Sequence, residues 1–124
     1  MLFRSEDRSE NIRRTAEAAK LMTEAGLITL VSLVSPSAAD RETAREIVGE
    51  EFVEIYVSAS PETCASRDKK GYYQKAKEGK IKDFTGVSAS YEPPLSPDLL
   101  LDTERLTPAE CADKVLGLIT AKRY

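Results

Sequence analysis

An α/β fold with a parallel, doubly wound sheet is the class that this 124-residue sequence predicts. Runs rich in β-forming residues alternate with runs of helical spacing. The first β-rich run, residues 27–34, shows little alternation of apolar and polar side chains, as a parallel strand covered on both faces should. The segments after the strands open with Ser, Pro and Thr, which start helices. Alternation of this kind builds sheets whose ligands lie beyond the carboxyl ends of the strands.

The elements follow in order. Ile12, Ala16, Ala19 and Met22 share one helical face, so a helix is predicted over about residues 9–25. Asp7 and Glu10 have capping-box spacing at its start, and Gly26 suits its stop. The strand over 27–34 is broken by Ser35-Pro36, and a second helix spans about residues 39–48. Residues 52–57 read as the second strand. Ser60 and Pro61 then provide an N-cap and a first helical position. Residues 68–79 are dense in Lys, Tyr and Gly without an apolar stripe and read as a mobile helical flap. Residues 84–97 form a loop, and Leu99, Leu100 and Leu101 a short buried strand. Thr107 and Glu110 make a capping box for the last helix, which packs through Val115, Leu118 and Ile119.

Bulk composition narrows the function. With 41% hydrophobic and 31% charged residues the chain reads as globular, and its length suits one domain over residues 1–124. The net charge is −3 and the basic residues are scattered, which argues against a nucleic-acid partner. There is no histidine and no C-x-x-C, so no zinc site is expected from this chain. Cys64 and Cys111 read as reduced, buried thiols of a cytoplasmic protein. The first residues lack an apolar signal-peptide core, and the longest apolar run is too short to cross a membrane. Patterning alone therefore gives a small-molecule site on an α/β domain, at residues 35–40, 59–61 and 102–106.

Four segments carry the reading further: Asp7-Arg8-Ser9-Glu10-Asn11-Ile12-Arg13-Arg14; Ser32-Leu33-Val34-Ser35-Pro36 with Ala39-Asp40-Arg41; Arg67-Asp68-Lys69-Lys70-Gly71-Tyr72; and Ile81-Lys82-Asp83-Phe84-Thr85-Gly86-Val87. In order and spacing they resemble the adenylylsulfate (APS) kinase family, whose patterns are D-R-x-E-N-I-R-R, S-x-I-S-P-x-R-A-D-R, R-D-x-K-G-L-Y and I-K-x-F-T-G. Asp102-Thr103 fits as well, and the resemblance covers nearly the whole chain. It implies a partial nucleotide-kinase-like three-layer fold of the phosphate-loop type, with a parallel sheet missing its first strands. It also implies transfer of the ATP γ-phosphoryl group to the 3′-hydroxyl of APS, giving PAPS, with Mg²⁺ accompanying ATP. Such chemistry is mostly positioning and charge neutralisation. A homodimer or a fusion to ATP sulfurylase would be the assembly, and a non-catalytic APS- or PAPS-binding module is the alternative function.

The resemblance also assigns residues. Phe3 and Phe84 match aromatics that sandwich the APS adenine, with core filling as the alternative. Arg8 and Asn11, three apart on one helix face, match APS ligands, with a solvated charged face as the alternative. Val34, Ser35, Lys70 and Asp83 complete the APS set. Ser35 matches a serine that carries phosphate in some members. No histidine is present to activate it, so backbone contacts from Val34 and Ser35 are the simpler role. Ser35, Arg67 and Lys70 are the catalytic candidates, with a solvated basic loop as the alternative for the two cations. For ATP, Arg67 matches the arginine that closes over it, and Leu106 and Cys111 align near its adenine site, where plain packing is the alternative.

Three departures stand out. The 124 residues contain no G-x-x-x-x-G-K-[ST] phosphate loop and no Asp-Gly-Asp. Ala38 stands where the family pattern has arginine, and Tyr73 shifts the Gly-Leu-Tyr pattern. In the family's sheet order, 2-3-1-4-5, this chain would supply strands 3, 4 and 5. Its strands over 27–34 and 52–57 would then lack the neighbour that joins them.

Overall fold

The computed structural model describes residues 5–79 and 90–122. Helix α1 runs Ser5–Glu24, α2 Ala38–Val48, α3 Pro61–Ser66, α4 Tyr72–Lys77 and α5 Pro108–Ala121. Strand β1 is Ile55–Ser58 and β2 is Leu99–Asp102, with a 3₁₀ turn at Gly49–Glu51 before β1. Phe3, Asp83 and Phe84, assigned above to the APS site, lie outside the described residues, as does part of the predicted loop over 84–97.

β1 and β2 pair in parallel, from Ile55 opposite Leu99 to Ser58 opposite Asp102. Polar groups staple both ends of this short ladder. The Glu54 N–H donates to the Asp98 carboxylate at 2.8 Å, and the Asp98 N–H donates back to the Glu54 carbonyl at 2.9 Å. At the other end the Thr103 N–H and hydroxyl both donate to the Ser58 carbonyl, at 3.0 and 2.8 Å. Two paired strands hold few ladder bonds, so these four fix where the carboxyl ends lie.

The expected strand over 27–34 is corrected. The stretch forms no ladder with any described residue. Its β-rich composition remains, but a strand exists only when a neighbour takes its N–H and C=O groups. Leu30 is 73% exposed and Val34 63%, as the expectation of a missing neighbour requires. Between this stretch and β1 opens an apolar cleft of about 810 Å³, walled by residues such as Ile12, Ala16, Leu30, Ile55, Leu101 and Ile119.

Smaller differences have local causes. α1 starts at Ser5 rather than near Ser9, so Asp7 and Glu10 lie inside it. The Glu10 carboxylate accepts from Arg13 and Arg14 instead of capping, and those hydrogen bonds lower its pKa to about 2. The predicted 52–57 strand shortens to β1 because Gly49–Glu51 winds into the 3₁₀ turn. Arg45 lies 4.8 Å over the Phe52 ring just after it. The Thr107–Glu110 capping box forms, with both reciprocal hydrogen bonds present.

Among the described residues the buried apolar side chains are Ile12, Ala16, Ala76 and Leu101, joined by Pro36. α1 packs on α2 through a contact that includes Ser9 Oγ donating to Asp40 at 2.9 Å. Leu101 is 4% exposed whereas its neighbour Leu100 is 54% exposed, as period two dictates. Leu101→Ala should cost toward the lower end of about 2–5 kcal/mol, since one side of it faces the cleft and can relax. Leu100→Ala should cost well under half as much. Urea unfolding of both variants checks the difference, and equal losses would contradict the assigned faces.

Candidate functional site

The sharpest local feature lies at the carboxyl end of the 27–34 stretch. Ser35 has φ +47°, the one positive value at a non-glycine residue among those described. A left-handed backbone costs an L-residue roughly 1–2 kcal/mol. The following residue, Pro36, pushes its predecessor toward extended backbone as well. The turn is nonetheless tied down from several sides. Arg41 Nη1 donates to the Ser35 carbonyl at 2.7 Å and Nη2 to the Glu92 carbonyl at 2.5 Å. Its Nε lies 3.6 Å from Glu54 Oε2, and its guanidinium stands 5.6 Å from the centre of the Tyr91 ring. Tyr91 in turn stacks on Tyr56 of β1 with ring centres 6.0 Å apart. The Glu92 N–H donates to the carbonyl of buried Pro36 at 2.8 Å. Burial pushes the Tyr91 phenol up, against the pull of Arg41.

Two residues later Ser37 caps α2, accepting from the Asp40 N–H at 3.5 Å. The Ser9–Asp40 hydrogen bond therefore ties the first turns of α1 to the first turn of α2. Arg8 and Asn11, both half-buried, flank Ser9 on α1 and so sit at the same end of the molecule as the Ser35 turn. Ala38 opens α2 there and is exposed. Val34 is exposed on the run into the turn.

A second cluster gathers where β1 and β2 end. Arg67, the C-cap of α3, donates to Thr103 Oγ1 at 3.1 Å and to the Thr103 carbonyl at 3.0 Å. Glu104 accepts from Thr63 Oγ1 at 2.5 Å and from Ser60 Oγ at 3.3 Å. The Thr63 hydroxyl, then Ser60, hold the Glu104 carboxyl below its ordinary value of 4.5. Leu106 belongs to the turn that Arg67 grips, and Cys111 lies in the first turn of α5. Arg67 and the Leu106 turn are thus brought together.

Lys70 lies apart, on the segment between α3 and α4. Its ammonium stands 5.7 Å from the Tyr72 ring centre, with Lys75 at 5.8 Å from the same ring. Asp68 accepts from the Lys70 and Tyr73 N–H groups, which shapes the turn at Gly71 (φ +70°). Tyr73 is raised in pKa by burial and then by Cys64 beside it. Both cysteines are free, but half-buried rather than buried, because each sits on a helix with a solvent-facing side. Among the described residues no group of three His, Cys, Asp or Glu could hold a metal ion. Nor is any helix long and apolar enough to cross a membrane.

Sequence reasoning missed Glu54, Tyr91 and Glu92 as organisers of these clusters, and it marked Thr103 and Glu104 only as part of a strand-end segment. The Arg41, Arg67 and Thr63 side chains that they meet lie 13 to 51 positions away in the chain, with no motif to pair them. Arg41 stood inside a quoted motif, but its partners did not.

Helices beside a two-stranded parallel sheet, with polar clusters beyond the strand ends, give an α/β arrangement of the kind that nucleotide kinases use. A family profile described as "Adenylylsulphate kinase" matches residues 1–102. The chain belongs to this family. It is 47% identical over 120 residues to the adenylyl-sulfate kinase of Clostridium kluyveri, covering 97% of this chain and 60% of that protein. It is 52% identical over 122 residues to the one from Halothermothrix orenii, covering 98% and 65%. Among solved structures, it superposes on the Mycobacterium tuberculosis APS kinase in complex with AMPPNP and APS with a TM-score of 0.87 and 36% identity. That match covers 97% of this chain and 70% of the other. The fold is accordingly part of the phosphate-loop kinase architecture, and the chain spans 60–65% of the length of these curated relatives.

The β-strand-end cluster yields a pH prediction. Glu104 has a folded pKa below 4.5, so its latch contributes fully above about that pH and is lost as pH falls through the depressed value. Glu104→Gln should lower hydrogen-exchange protection of the Cys64 and Arg67 amides near neutrality, and the difference from wild type should shrink as pH falls through the depressed Glu104 value. A difference that persists in acid would contradict the latch.

Proposed function

We propose that the polypeptide carrying these residues transfers the γ-phosphoryl group of ATP to the 3′-hydroxyl of APS. The bond between the γ-phosphorus and its bridging oxygen breaks, and a bond to the sugar oxygen forms. The hydroxyl proton leaves, and the products are PAPS and ADP. The observation that carries this reading is the superposition over 97% of the chain on a kinase holding both an ATP analogue and APS. The single domain over residues 1–124 and a cytoplasmic location belong to the same proposal.

In this reading the Ser35 turn and the start of α1 receive APS. Arg8 and Asn11 address its anionic groups, as an arginine fork suits phosphate and sulfate oxygens. Val34 and Ser35 offer backbone groups, and Phe3, Asp83 and Phe84 complete the adenine pocket. The second cluster receives the ATP adenine between Arg67, Leu106 and Cys111. Lys70, on the flap, turns from Tyr72 toward the substrate phosphates and neutralises developing charge. ATP brings Mg²⁺ to such reactions, and among the described residues no group of three His, Cys, Asp or Glu could hold it.

The direct test is PAPS formation from ATP and APS, with the full-length polypeptide and with the 124 residues alone. The full-length polypeptide should form PAPS. The 124 residues, which contain no phosphate loop, should not. APS binding without turnover by the full-length polypeptide would favour a non-catalytic binding module.

Ala38 gives a second test. Arg41 is fully engaged with Ser35, Glu92 and Glu54, so it does not replace the arginine that the family pattern has at position 38. Ala38→Arg should tighten APS binding about tenfold to a hundredfold, the value of a charged hydrogen bond of roughly 1.5–3 kcal/mol, and leave ATP binding unchanged. A cation in the first turn of α2 opposes the helix dipole, so stability should fall by about 0.3–1 kcal/mol. Separate calorimetric titrations of APS and ATP check this, and an unchanged APS affinity would refute it.

A further inference from the structure

We infer that Arg41 is a positioning residue that holds Ser35 in its left-handed conformation, rather than a cation for the anionic substrate. Its functional half rests on the kinase reading above. Its structural half does not.

Three observations converge. Ser35 keeps φ +47° although its side chain and the proline after it both disfavour that backbone. Such strain persists only where surrounding contacts over-determine it, and it gathers at functional sites. The Arg41 fork supplies the contact: one arm takes the Ser35 carbonyl and the other the Glu92 carbonyl, 51 positions away in the chain. The same Glu92 donates a hydrogen bond to the Pro36 carbonyl, so the carbonyls of Ser35 and Pro36 are both held. Finally, the charge is spent internally. The Arg41 side chain is 10% exposed, its Nε faces Glu54, and Tyr91 covers its face. With two arms on backbone carbonyls and Nε beside Glu54, most of the guanidinium is turned inward rather than toward a ligand.

The planar fork is essential to this role. It donates to two carbonyls while facing a carboxylate, a fixed fork that a single ammonium does not provide. Lysine at position 41 would preserve the charge facing Glu54 and lose the clamp. Glycine at position 35 would adopt the left-handed backbone unaided and make the clamp dispensable.

NMR of the intact polypeptide reads the backbone of residue 35 directly, because a left-handed residue gives a strong intraresidue amide–Hα contact. Arg41→Lys should lose that signature, while Glu54→Gln, which removes only the charge partner, should keep it. Arg41→Lys combined with Ser35→Gly should restore a positive φ at residue 35, read there from the stereospecifically assigned Hα pair because glycine has an Hα near its amide at either sign of φ. In the PAPS assay Arg41→Lys should raise the APS KM about tenfold or more, the effect of a small misplacement, and leave the ATP KM unchanged. Should Arg41→Lys not fold, the double variant should, since glycine needs no clamp. Persistence of the signature in Arg41→Lys overturns the proposal, as does a double variant that fails to fold or to recover the positive φ. If the wild type forms no PAPS, the kinase reading fails, while the signature at residue 35 still decides the role of Arg41.

Discussion

A parallel strand is satisfied only with hydrogen-bonded neighbours and an apolar cover on each face, and everything in this molecule depends on how far that condition is met. β1 and β2 meet it along one shared edge. The 27–34 stretch has the composition of such a strand but no ladder among the described residues, and an apolar cleft of about 810 Å³ separates it from β1. The position of the site follows from this geometry. Its segments lie at the carboxyl ends of the stretch and of the two strands, held there by side chains more than by sheet.

Those side chains share a pattern. Asp98 and Thr103 close the two ends of the ladder, and Arg41 closes the end of the 27–34 stretch. Arg67 grips the turn after β2, and Glu104 ties that turn to the start of α3. In each case a long-range polar contact substitutes for backbone pairing that a short sheet cannot supply. Several charges that look available in the sequence are used in this way. Arg41 serves Ser35 and Glu92, and Arg13 and Arg14 both serve Glu10.

Much of the fold was legible because its signals are local. The Thr107 capping box, the Ser60-Pro61 start and the place of β2 were read correctly from neighbours within four residues, although only Leu101 of its three leucines is buried. The start of α1 was misread because Glu10 prefers two arginines one turn on to the helix-start N–H group. The 27–34 stretch was misread as a strand because composition records the wish for a neighbour, not its presence. The candidate site was legible as segments, through four motifs, but not as a structure. Nothing in the spacing of Arg41, Glu54 and Glu92 indicates that they meet, and the left-handed Ser35 has no glycine to mark it.

The central claim is that these residues form the APS-receiving side of a phosphoryl-transfer site, built on a strained turn. A crystal structure of the full-length polypeptide with APS and a non-hydrolysable ATP analogue tests it most directly. APS should lie against Val34, Ser35, Arg8 and Asn11, with Ser35 left-handed and Arg41 still bound to its carbonyl. The adenine of the ATP analogue should lie by Arg67 and Leu106. APS bound elsewhere, or Arg41 swung out onto its sulfate or phosphate, would contradict the account.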